Sequence, residues 1–357
     1  MAKLRRPQLM SAAAKRRAPR VRKRGSASSR ASARLPWGHA RVGSVDMAVR
    51  IGSVELPNPV MTASGTAGYG AELDAYVDLT SLGAVVTKSL SPFAWEGNPA
   101  PRMASAPAGM LNAVGLQNPG AGAWRERELP RLARTGARVV ASIWGRTVAD
   151  YAAAAESLAG AGLTALEVNV SCPNLEGRGQ MFACSPSATA EAVSAAAAAG
   201  VPVWAKLTPN VTDLVEVADA ALGAGAEALT LINTIFGMTI DPVTARPALG
   251  IGGGGLSGPA IRPVAVRAVF DVRAALGEVP IVGVGGVAKG SHVVELMAAG
   301  ACAIQIGTAS FYDPRASCKV LDELERWCER HGIGAASELT GRAHQPGATS
   351  RSGAEDR

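Results

Sequence analysis

A thiol, two carboxamides and a hydroxyl lie within six residues at the end of one predicted strand. The residues from Leu163 to Val170 alternate and are rich in branched side chains, which predicts that this strand is buried. Pro173 fixes its own φ and favours an extended conformation at Cys172, so the thiol is held at the carboxyl end of the strand, where α/β barrels carry their catalytic groups. The side chains of Asn169 and Asn174 can bind a flat ring that carries carbonyl and N–H groups. The alternative is a structural cysteine beside a turn.

Strand and helix signals alternate between the two ends of the chain, and glycine recurs just before the predicted strands, as is typical of α/β units. Eight such strands with helical connections predict a (β/α)8 TIM barrel. A doubly wound open sheet is the alternative, but no GxGxxG pattern follows the first strand, which argues against a dinucleotide-binding fold. The predicted strands are Pro59–Ala63, Ala84–Lys88, Arg138–Ile143, Ala165–Val170, Val203–Leu207, Ala228–Ile232, Ile281–Val284 and Ala303–Ile306.

Two segments interrupt this alternation. A Pro- and Gly-rich stretch from Ser89 to Gly120 follows the second strand, and we expect it to form a small insertion over the carboxyl-end mouth of the barrel. The segment Leu175–Pro186 has no regular period and contains Gly177 and Gly179. It is either a mobile lid over the site or an ordinary surface connection.

The two ends of the chain differ in composition from the body. Residues 1–46 carry a net charge of +12, so the other residues carry −5 of the total of +7. These 46 residues have no apolar period, and we expect a disordered basic extension, with a transit peptide, a nucleic-acid-binding tail or an upstream start before Met47 as its origin. Residues 47–340 are the predicted barrel domain, and residues 341–357 are a predicted disordered tail. The mildly acidic body does not suggest a nucleic-acid-binding surface.

The cysteines and histidines argue against a metal site or a disulfide framework. Five cysteines show no CxxC spacing, and four histidines are scattered without ligand spacing. No secretory apolar segment and no run of eighteen apolar residues is present. We therefore expect reduced thiols, a cytoplasmic location and no membrane partner.

Polar residues and glycines follow most of the predicted strands, and in a barrel they all face one mouth. Gly285 and Gly286 follow the seventh strand and Gly307 and Thr308 the eighth, where backbone N–H groups can approach a phosphate. Lys206 ends the apolar fifth strand and needs an anionic partner or water. A phosphate-bearing cofactor with an electron-rich ring fits both features, which predicts flavin mononucleotide (FMN). A salt bridge at the barrel rim is the alternative for Lys206.

From about Arg50 to Gly341, the sequence resembles the class 1 dihydroorotate dehydrogenases, and in particular their 1B branch. Eight motifs in the same order carry the resemblance, and together they are specific. They are Ala63–Gly70, Glu96–Arg102, Gly109–Gly120, Asn169–Asn174, Lys206–Asn210, Ile232–Thr234, Gly254–Gly258 and Val284–Val287.

The resemblance implies a role for each matching residue. Cys172 is implied as the general base. The implied substrate-binding residues are Lys88, Asn112, Gly115, Leu116, Asn169, Asn174, Asn233 and Thr234. The implied FMN-binding residues are Ser64, Lys88, Ser89, Ser142, Asn169, Lys206, Ile232, Gly258, Gly285, Gly286, Gly307 and Thr308. The sequence departs from the pattern at Ser142, where the 1B branch leads us to expect asparagine, although a hydroxyl still donates or accepts a hydrogen bond.

The implied reaction oxidises dihydroorotate to orotate in de novo pyrimidine biosynthesis: a base removes a proton from C5, and the flavin accepts a hydride from C6. The resemblance also implies a homodimer and, for the 1B branch, a partner subunit with FAD and an iron–sulfur cluster, for which this chain has no cluster motif. A dihydropyrimidine-type FMN oxidoreductase acting on uracil or thymine shares the Cys172 turn and the Lys206–Asn210 motif, so it is the alternative enzyme. A flavin- or pyrimidine-binding protein without catalysis is the alternative of another class.

Overall fold

The computed structural model describes residues 44–171 and 181–345. The described residues contain fourteen strands: β1 (Val49–Ile51), β2 (Val54–Leu56), β3 (Val60–Thr62), β4 (Val85–Val86), β5 (Met103–Ala106), β6 (Gly109–Asn112), β7 (Val139–Ile143), β8 (Ala165–Asn169), β9 (Val203–Leu207), β10 (Ala228–Leu231), β11 (Ile235–Gly237), β12 (Gly254–Ser257), β13 (Ile281–Val284) and β14 (Ala303–Ile306). They also contain nine α-helices: α1 (Ala121–Arg127), α2 (Leu129–Ala133), α3 (Val148–Leu158), α4 (Pro186–Ala197), α5 (Leu214–Gly223), α6 (Arg262–Leu276), α7 (Gly290–Ala299), α8 (Ala309–Tyr312) and α9 (Ala316–His331).

Eight parallel strands form the central sheet, in the order β3-β14-β13-β10-β9-β8-β7-β4. A parallel bridge between Met61 and Ala84 joins the two ends of this order, and the N–H of Gly83 donates to the carbonyl of Val60 at 2.8 Å. The sheet is thereby closed into a barrel with helices between the strands. The predicted TIM barrel is confirmed, and each of the eight predicted strands contains one observed barrel strand.

The helices begin where the sequence supplies capping side chains. Thr147 and Asp150 form a capping box at the start of α3, Ser185 accepts from the N–H of Ala188 at the start of α4, and Asp213 does the same for Glu216 at α5. The faces that these helices bury are made mostly of alanine and valine, which lets them pack closely on the strands. The core therefore lies both inside the barrel and between the strands and the surrounding helices.

A second, antiparallel sheet in the order β11-β12-β6-β5 completes the predicted insertion. Strands β5 and β6 belong to the segment predicted from Ser89 to Gly120, but β11 and β12 come from a second segment after β10. The sequence analysis predicted only the first of these two segments. Asn112 of β6 pairs with Gly255 of β12, so the two segments meet beside a residue predicted to bind substrate.

The described fold extends slightly past the predicted domain limits. Val45 is buried, and the backbone of Asp46 pairs with Gly334 and Ala336 at 2.9 and 2.7 Å. At the other end, residues 342–344 form a short 3-10 helix. Residues 1–43 and 346–357, which include most of the two predicted disordered tails, lie outside the described residues. Val45 and Asp46 are therefore part of the fold, although the sequence analysis placed them in the disordered extension.

We predict that deletion of residues 1–43 leaves the melting temperature unchanged, whereas deletion of residues 1–46 lowers it by roughly 5–10 °C. The longer deletion removes the two backbone hydrogen bonds of Asp46, its side-chain bond to the N–H of Ala48 and the buried Val45, a loss of about 3 kcal/mol. Thermal unfolding of the full chain and both shortened chains is the measurement. Equal melting temperatures for the two shortened chains would contradict the role of Val45 and Asp46.

Candidate functional site

One cavity of about 1130 Å³ opens at the carboxyl ends of the barrel strands, under the small antiparallel sheet. It gathers residues that are far apart in the sequence, because the carboxyl ends of all parallel strands meet at one rim. The predicted site residues that line it are Ser64, Lys88, Ser89, Asn112, Gly115, Leu116, Asn169, Lys206, Ile232, Asn233, Thr234, Gly258, Gly285, Gly286, Gly307 and Thr308. The residues assigned to the ring, to the phosphate and to the substrate thus share one space.

Three predicted site residues are not placed in the cavity. Cys172 and Asn174 lie outside the described residues, which resume at Met181. Ser142 is described and fully buried, but it is not among the residues that line the cavity. Its Oγ lies 2.9 Å from the Oγ of Ser89, which does line the cavity. One hydroxyl group thus lies between Ser142 and the cavity, and the contact of Ser142 with the cofactor stays a prediction.

Glycines at the ends of β13 and β14 form a cradle of free backbone donors. Among the described residues, the N–H groups of Gly286 and Thr308 donate no hydrogen bond within the protein. Gly286 has a φ of +70°, and a Cβ there would lie 2.7 Å from the Cβ of Arg262 and 2.8 Å from the carbonyl oxygen of Gly258. Only glycine therefore fits this turn, and its exposed N–H groups suit a phosphate. The residues present fit the phosphate end of FMN.

The floor of the cavity carries a buried charge pair. The ammonium of Lys206 lies 3.3 Å from Oε1 of Glu167, which has no exposed surface. The amide of Gln305 donates to Oε2 of the same carboxylate at 2.6 Å. Lys206 lines the cavity, whereas Glu167 and Gln305 lie beneath it. Lys206 is therefore held by an anionic partner inside the barrel and not by a salt bridge at the rim.

A chain of amides and hydroxyls runs along the wall between the floor and the mouth. Asn169 accepts at Oδ1 from the side-chain amide of Asn233, and its own amide donates to the Oγ of Ser89, both at 3.3 Å. Asn233 also accepts at 2.8 Å from the N–H of Thr234. Ser171, the last described residue before the gap, lines the cavity, and its buried Oγ has no hydrogen-bond partner among the described residues. This wall presents both donors and acceptors to a flat polar ligand.

The loop from Asn112 to Leu116 is shaped by residues to which the sequence analysis gave no role. The indole of Trp95 donates to the carbonyl of Gly115 at 3.0 Å, and Asn98 donates to the carbonyl of Ala113 at 3.1 Å. Leu116 has a φ of 61°, which is strained for a residue with a side chain, so this loop needs such support. Asn98 belongs to a motif that carried the family resemblance, and Trp95 directly precedes that motif. Their position beside the motif was the signal that could have identified them.

Asn210 is a third supporting residue that the sequence analysis left without a role. It lines the cavity, and its amide donates to the carbonyl of Thr234 at 2.9 Å. Its Oδ1 accepts at 2.9 Å from the N–H of Phe236, the second residue of β11. Asn210 therefore ties the end of β9 to the second inserted segment, next to the residues predicted to bind substrate.

Lys88 gives the cavity a second cation with different surroundings. Burial lowers the pKa of Lys88, and the positive charge of Arg102 lowers it further. In residues 44–171 and 181–345, no carboxylate lies within salt-bridge distance of its ammonium. Since this charge is partly desolvated and has no anionic partner there, the end of the cavity at Lys88 favours an anionic ligand.

Comparison with known proteins identifies the same family that the sequence motifs resemble. The family model for dihydroorotate dehydrogenase matches residues 46–327. Three relatives carry the name dihydroorotate dehydrogenase B (NAD(+)), catalytic subunit. The relative from Alkaliphilus oremlandii is 45% identical over 298 residues, which cover 83% of this chain and 98% of the relative. The relative from Desulforudis audaxviator is 48% identical over 305 residues, with coverages of 85% and 99%. The relative from Trichlorobacter lovleyi is 48% identical over 297 residues, with coverages of 83% and 97%.

We predict that Gly286→Ala weakens the binding of FMN at least tenfold. An added Cβ there would clash with Arg262 and with the carbonyl of Gly258, so the turn must move and its free N–H groups with it. Gly223→Ala is the matched control, because nothing lies within 4 Å of a Cβ at that position. The dissociation constant of FMN, measured by fluorescence quenching with the apoprotein, is the readout. Unchanged FMN binding by Gly286→Ala would show that the phosphate does not bind at this turn.

Proposed function

The chain belongs to the dihydroorotate dehydrogenase family, and on that premise we propose that it oxidises dihydroorotate to orotate in pyrimidine biosynthesis, with FMN as its cofactor. The observation that carries this proposal is one cavity that joins a phosphate cradle, a paired lysine at its floor and, near its amide-lined wall, a lysine without a carboxylate partner among the described residues. A nucleotide cofactor and a small anionic ring together require these three features.

The residues around the cavity divide between the two ligands. When bound, FMN supplies the hydride acceptor of the reaction. The N–H groups of Gly286 and Thr308 would hold its phosphate, and Lys206 would contact its ring. The remaining polar groups, on Asn112, Asn169 and Asn233, can donate to and accept from the carbonyl and N–H groups of a dihydropyrimidine. Lys88, which has no carboxylate partner among the described residues, would bind the carboxylate of dihydroorotate.

Proton removal from C5 needs a base on the wall of the same cavity, and we propose Cys172 for this role. The residues that flank the undescribed segment, Ser171 and Met181, both line the cavity, which supports a site for Cys172 beside the substrate. A thiol has a pKa near 8.5, so only about 3% is thiolate at pH 7. The surrounding amides and Lys88 would orient the substrate and stabilise negative charge that develops on its ring as the proton leaves.

The alternative enzyme, a dihydropyrimidine-type oxidoreductase, acts on rings that lack the carboxylate. The partly desolvated and unpaired charge of Lys88 favours a substrate with that carboxylate, because an uncharged ring would leave this lysine without an anionic partner. The family match and the names of the relatives also favour dihydroorotate as the substrate. We therefore favour dihydroorotate over dihydrouracil and dihydrothymine.

We also propose two protein partners. A homodimer is supported by exposed apolar side chains on β11 and the segment that follows it, including Phe236, Met238, Ile240 and Val243. The relatives are named as catalytic subunits of an NAD(+) enzyme, which supports a second subunit, and from the resemblance to the 1B branch we propose that this subunit carries FAD and an iron–sulfur cluster. In the described ranges, no cluster of three metal-ligating side chains is present.

None of the described helices has the length and apolar character needed to cross a bilayer. Cys184, Cys302, Cys318 and Cys328 are free thiols. The thiols support the proposal that the protein works in the cytoplasm.

We predict that dihydroorotate bleaches the flavin absorbance of the protein under anaerobic conditions and that dihydrouracil does not. The purified protein is mixed with each compound and the spectrum is recorded between 350 and 500 nm, roughly where oxidised flavins absorb. A panel of electron acceptors then tests for turnover. Bleaching by dihydrouracil alone would move the assignment to the dihydropyrimidine-type enzymes, and bleaching by neither compound would contradict both.

We predict that Cys172→Ala slows flavin reduction by dihydroorotate by roughly 10²–10⁴, the usual contribution of a positioned general base. Binding of FMN and orotate should be retained, since neither ligand requires the thiol. Rapid-mixing absorbance measurements give the rate. Cys184→Ala is the control, because Cys184 is an exposed free thiol in the segment after the gap. If Cys184→Ala is slow and Cys172→Ala is as fast as the wild type, Cys172 is not the base.

A further inference from the structure

The carboxylate of Glu167 is a buried group that the proposed reaction does not use. It lies on β8, two residues before Asn169, so both side chains point to the same face of the strand. Asn169 lines the cavity and Glu167 does not, which places the carboxylate one layer deeper in the barrel. Each of its oxygens has one partner, the ammonium of Lys206 and the amide of Gln305.

An acidic residue is unusual at this depth. Branched apolar residues normally fill the interior layers of a TIM barrel, and a buried carboxylate is costly unless it is paired and hydrogen-bonded. Replacing a buried ion pair by apolar residues often stabilises a protein, so stability alone does not account for Glu167 and Lys206. The pair also places a cation, the ammonium of Lys206, at the floor of the cavity.

The ammonium of Lys206 is fixed on one side and open on the other. It has three donors, and in the described part of the chain Glu167 is the one group that accepts from it. The neighbouring Thr230, which pairs with Lys206 in the sheet, has a buried Oγ with no hydrogen-bond partner in the described part of the chain. The other two N–H groups of Lys206 are therefore available to a ligand in the cavity.

The position of Lys206 in the sheet assigns it to the cofactor ring. Strand β10 separates β9 from β13, and Lys206 is level with Val282, four residues before Gly286, so the backbones of Lys206 and Gly286 lie about 16 Å apart along the barrel wall. This distance is too long for contact with the phosphate and falls within the length of a flavin nucleotide. The charge of Lys206 therefore acts on the part of the cofactor that takes up electrons.

We propose that Glu167 is a positioning residue that holds Lys206 against the flavin ring and offsets its charge, and that the pair thereby sets the reduction potential of the flavin. This inference rests on the proposed FMN cofactor. Reduction of a flavin adds negative charge, which a nearby cation stabilises and a nearby anion destabilises. Glu167 therefore keeps the potential lower than Lys206 alone would make it.

The test compares the flavin midpoint potentials of the wild type, Glu167→Gln, Lys206→Met and the double variant at pH 7, by reduction with dithionite against indicator dyes. Glu167→Gln leaves an uncompensated cation and should raise the equilibrium constant for flavin reduction at least tenfold, which is about 30 mV for two electrons. Lys206→Met should lower it by a similar factor. In the Lys206→Met background, the unpaired carboxylate takes up a proton, so Glu167→Gln should change the constant less than threefold.

Two further variants and one measurement complete the test. Glu227→Gln is the matched control, because this carboxylate precedes β10 at the opposite end of the barrel and bonds to Ser53. It should leave the potential unchanged. Glu167→Asp replaces Glu167→Gln if the latter does not fold. It keeps the negative charge but moves it away from Lys206, so it should also raise the flavin potential, by a smaller amount than Glu167→Gln. Urea unfolding of the four apoproteins measures the coupling of Glu167 and Lys206 without the cofactor.

The outcomes separate this inference from the proposed function. A wild-type protein that does not bind FMN would overturn both. If the wild type binds FMN and the potentials of Glu167→Gln and Glu167→Asp stay within threefold of the wild-type equilibrium constant, the inference alone is wrong. An equal shift by Glu167→Gln with and without Lys206 would also overturn it, since Glu167 would then act directly on the flavin and not through the lysine.

Discussion

The closed parallel sheet is the constraint on which the rest of the structure depends. In a parallel sheet every strand ends at the same edge, and closure through Met61 and Ala84 bends that edge into a rim. Residues separated by more than 240 positions, such as Ser64 and Thr308, therefore line one cavity. A strand that ran in the opposite direction would place its last residues at the far end of the barrel. The chemistry of the site thus requires that all eight strands run in parallel.

A barrel rim alone leaves the cavity open, and the two inserted segments cover it. Each is too short to bury an apolar face by itself, and together they form the sheet β11-β12-β6-β5 around the small core of Leu111, Ala113 and Leu249. Close approach of the backbones is essential there. A Cβ at Gly255 would lie 2.1 Å from the hydroxyl of Thr234, and a Cβ at Gly109 would lie 2.1 Å from the carbonyl of Ser257. Glycine at these positions lets the cover contact the residues predicted to bind substrate.

The sequence predicted the barrel well because each of its strands is a local signal. A short apolar run followed by polar residues identifies a strand and its carboxyl end without knowledge of its neighbours. Strands β11 and β12 were not predicted, because a run such as Gly254 to Ser257 is a strand only through its pairing with β6. The contact of Ser142 with Ser89 and the support of Gly115 by Trp95 likewise depend on tertiary contacts. Glu167 was treated as part of a buried strand, since nothing in its local pattern reveals that Lys206 lies beside it.

The two lysines of the cavity show how the barrel assigns different tasks to like charges. Lys206 rises from a layer that also holds Glu167, so its charge is largely offset and its position is fixed. Lys88 follows β4 at the rim, where the nearest charge that affects its pKa is the cation of Arg102. A ligand that carries a full negative charge gains more from Lys88, because Lys206 already has an anionic partner. A neutral ring that becomes negative only on reduction gains more from Lys206, whose geometry is fixed in advance. From the depth of each lysine in the barrel, we propose that Lys88 acts mainly on the anionic substrate and Lys206 on the cofactor.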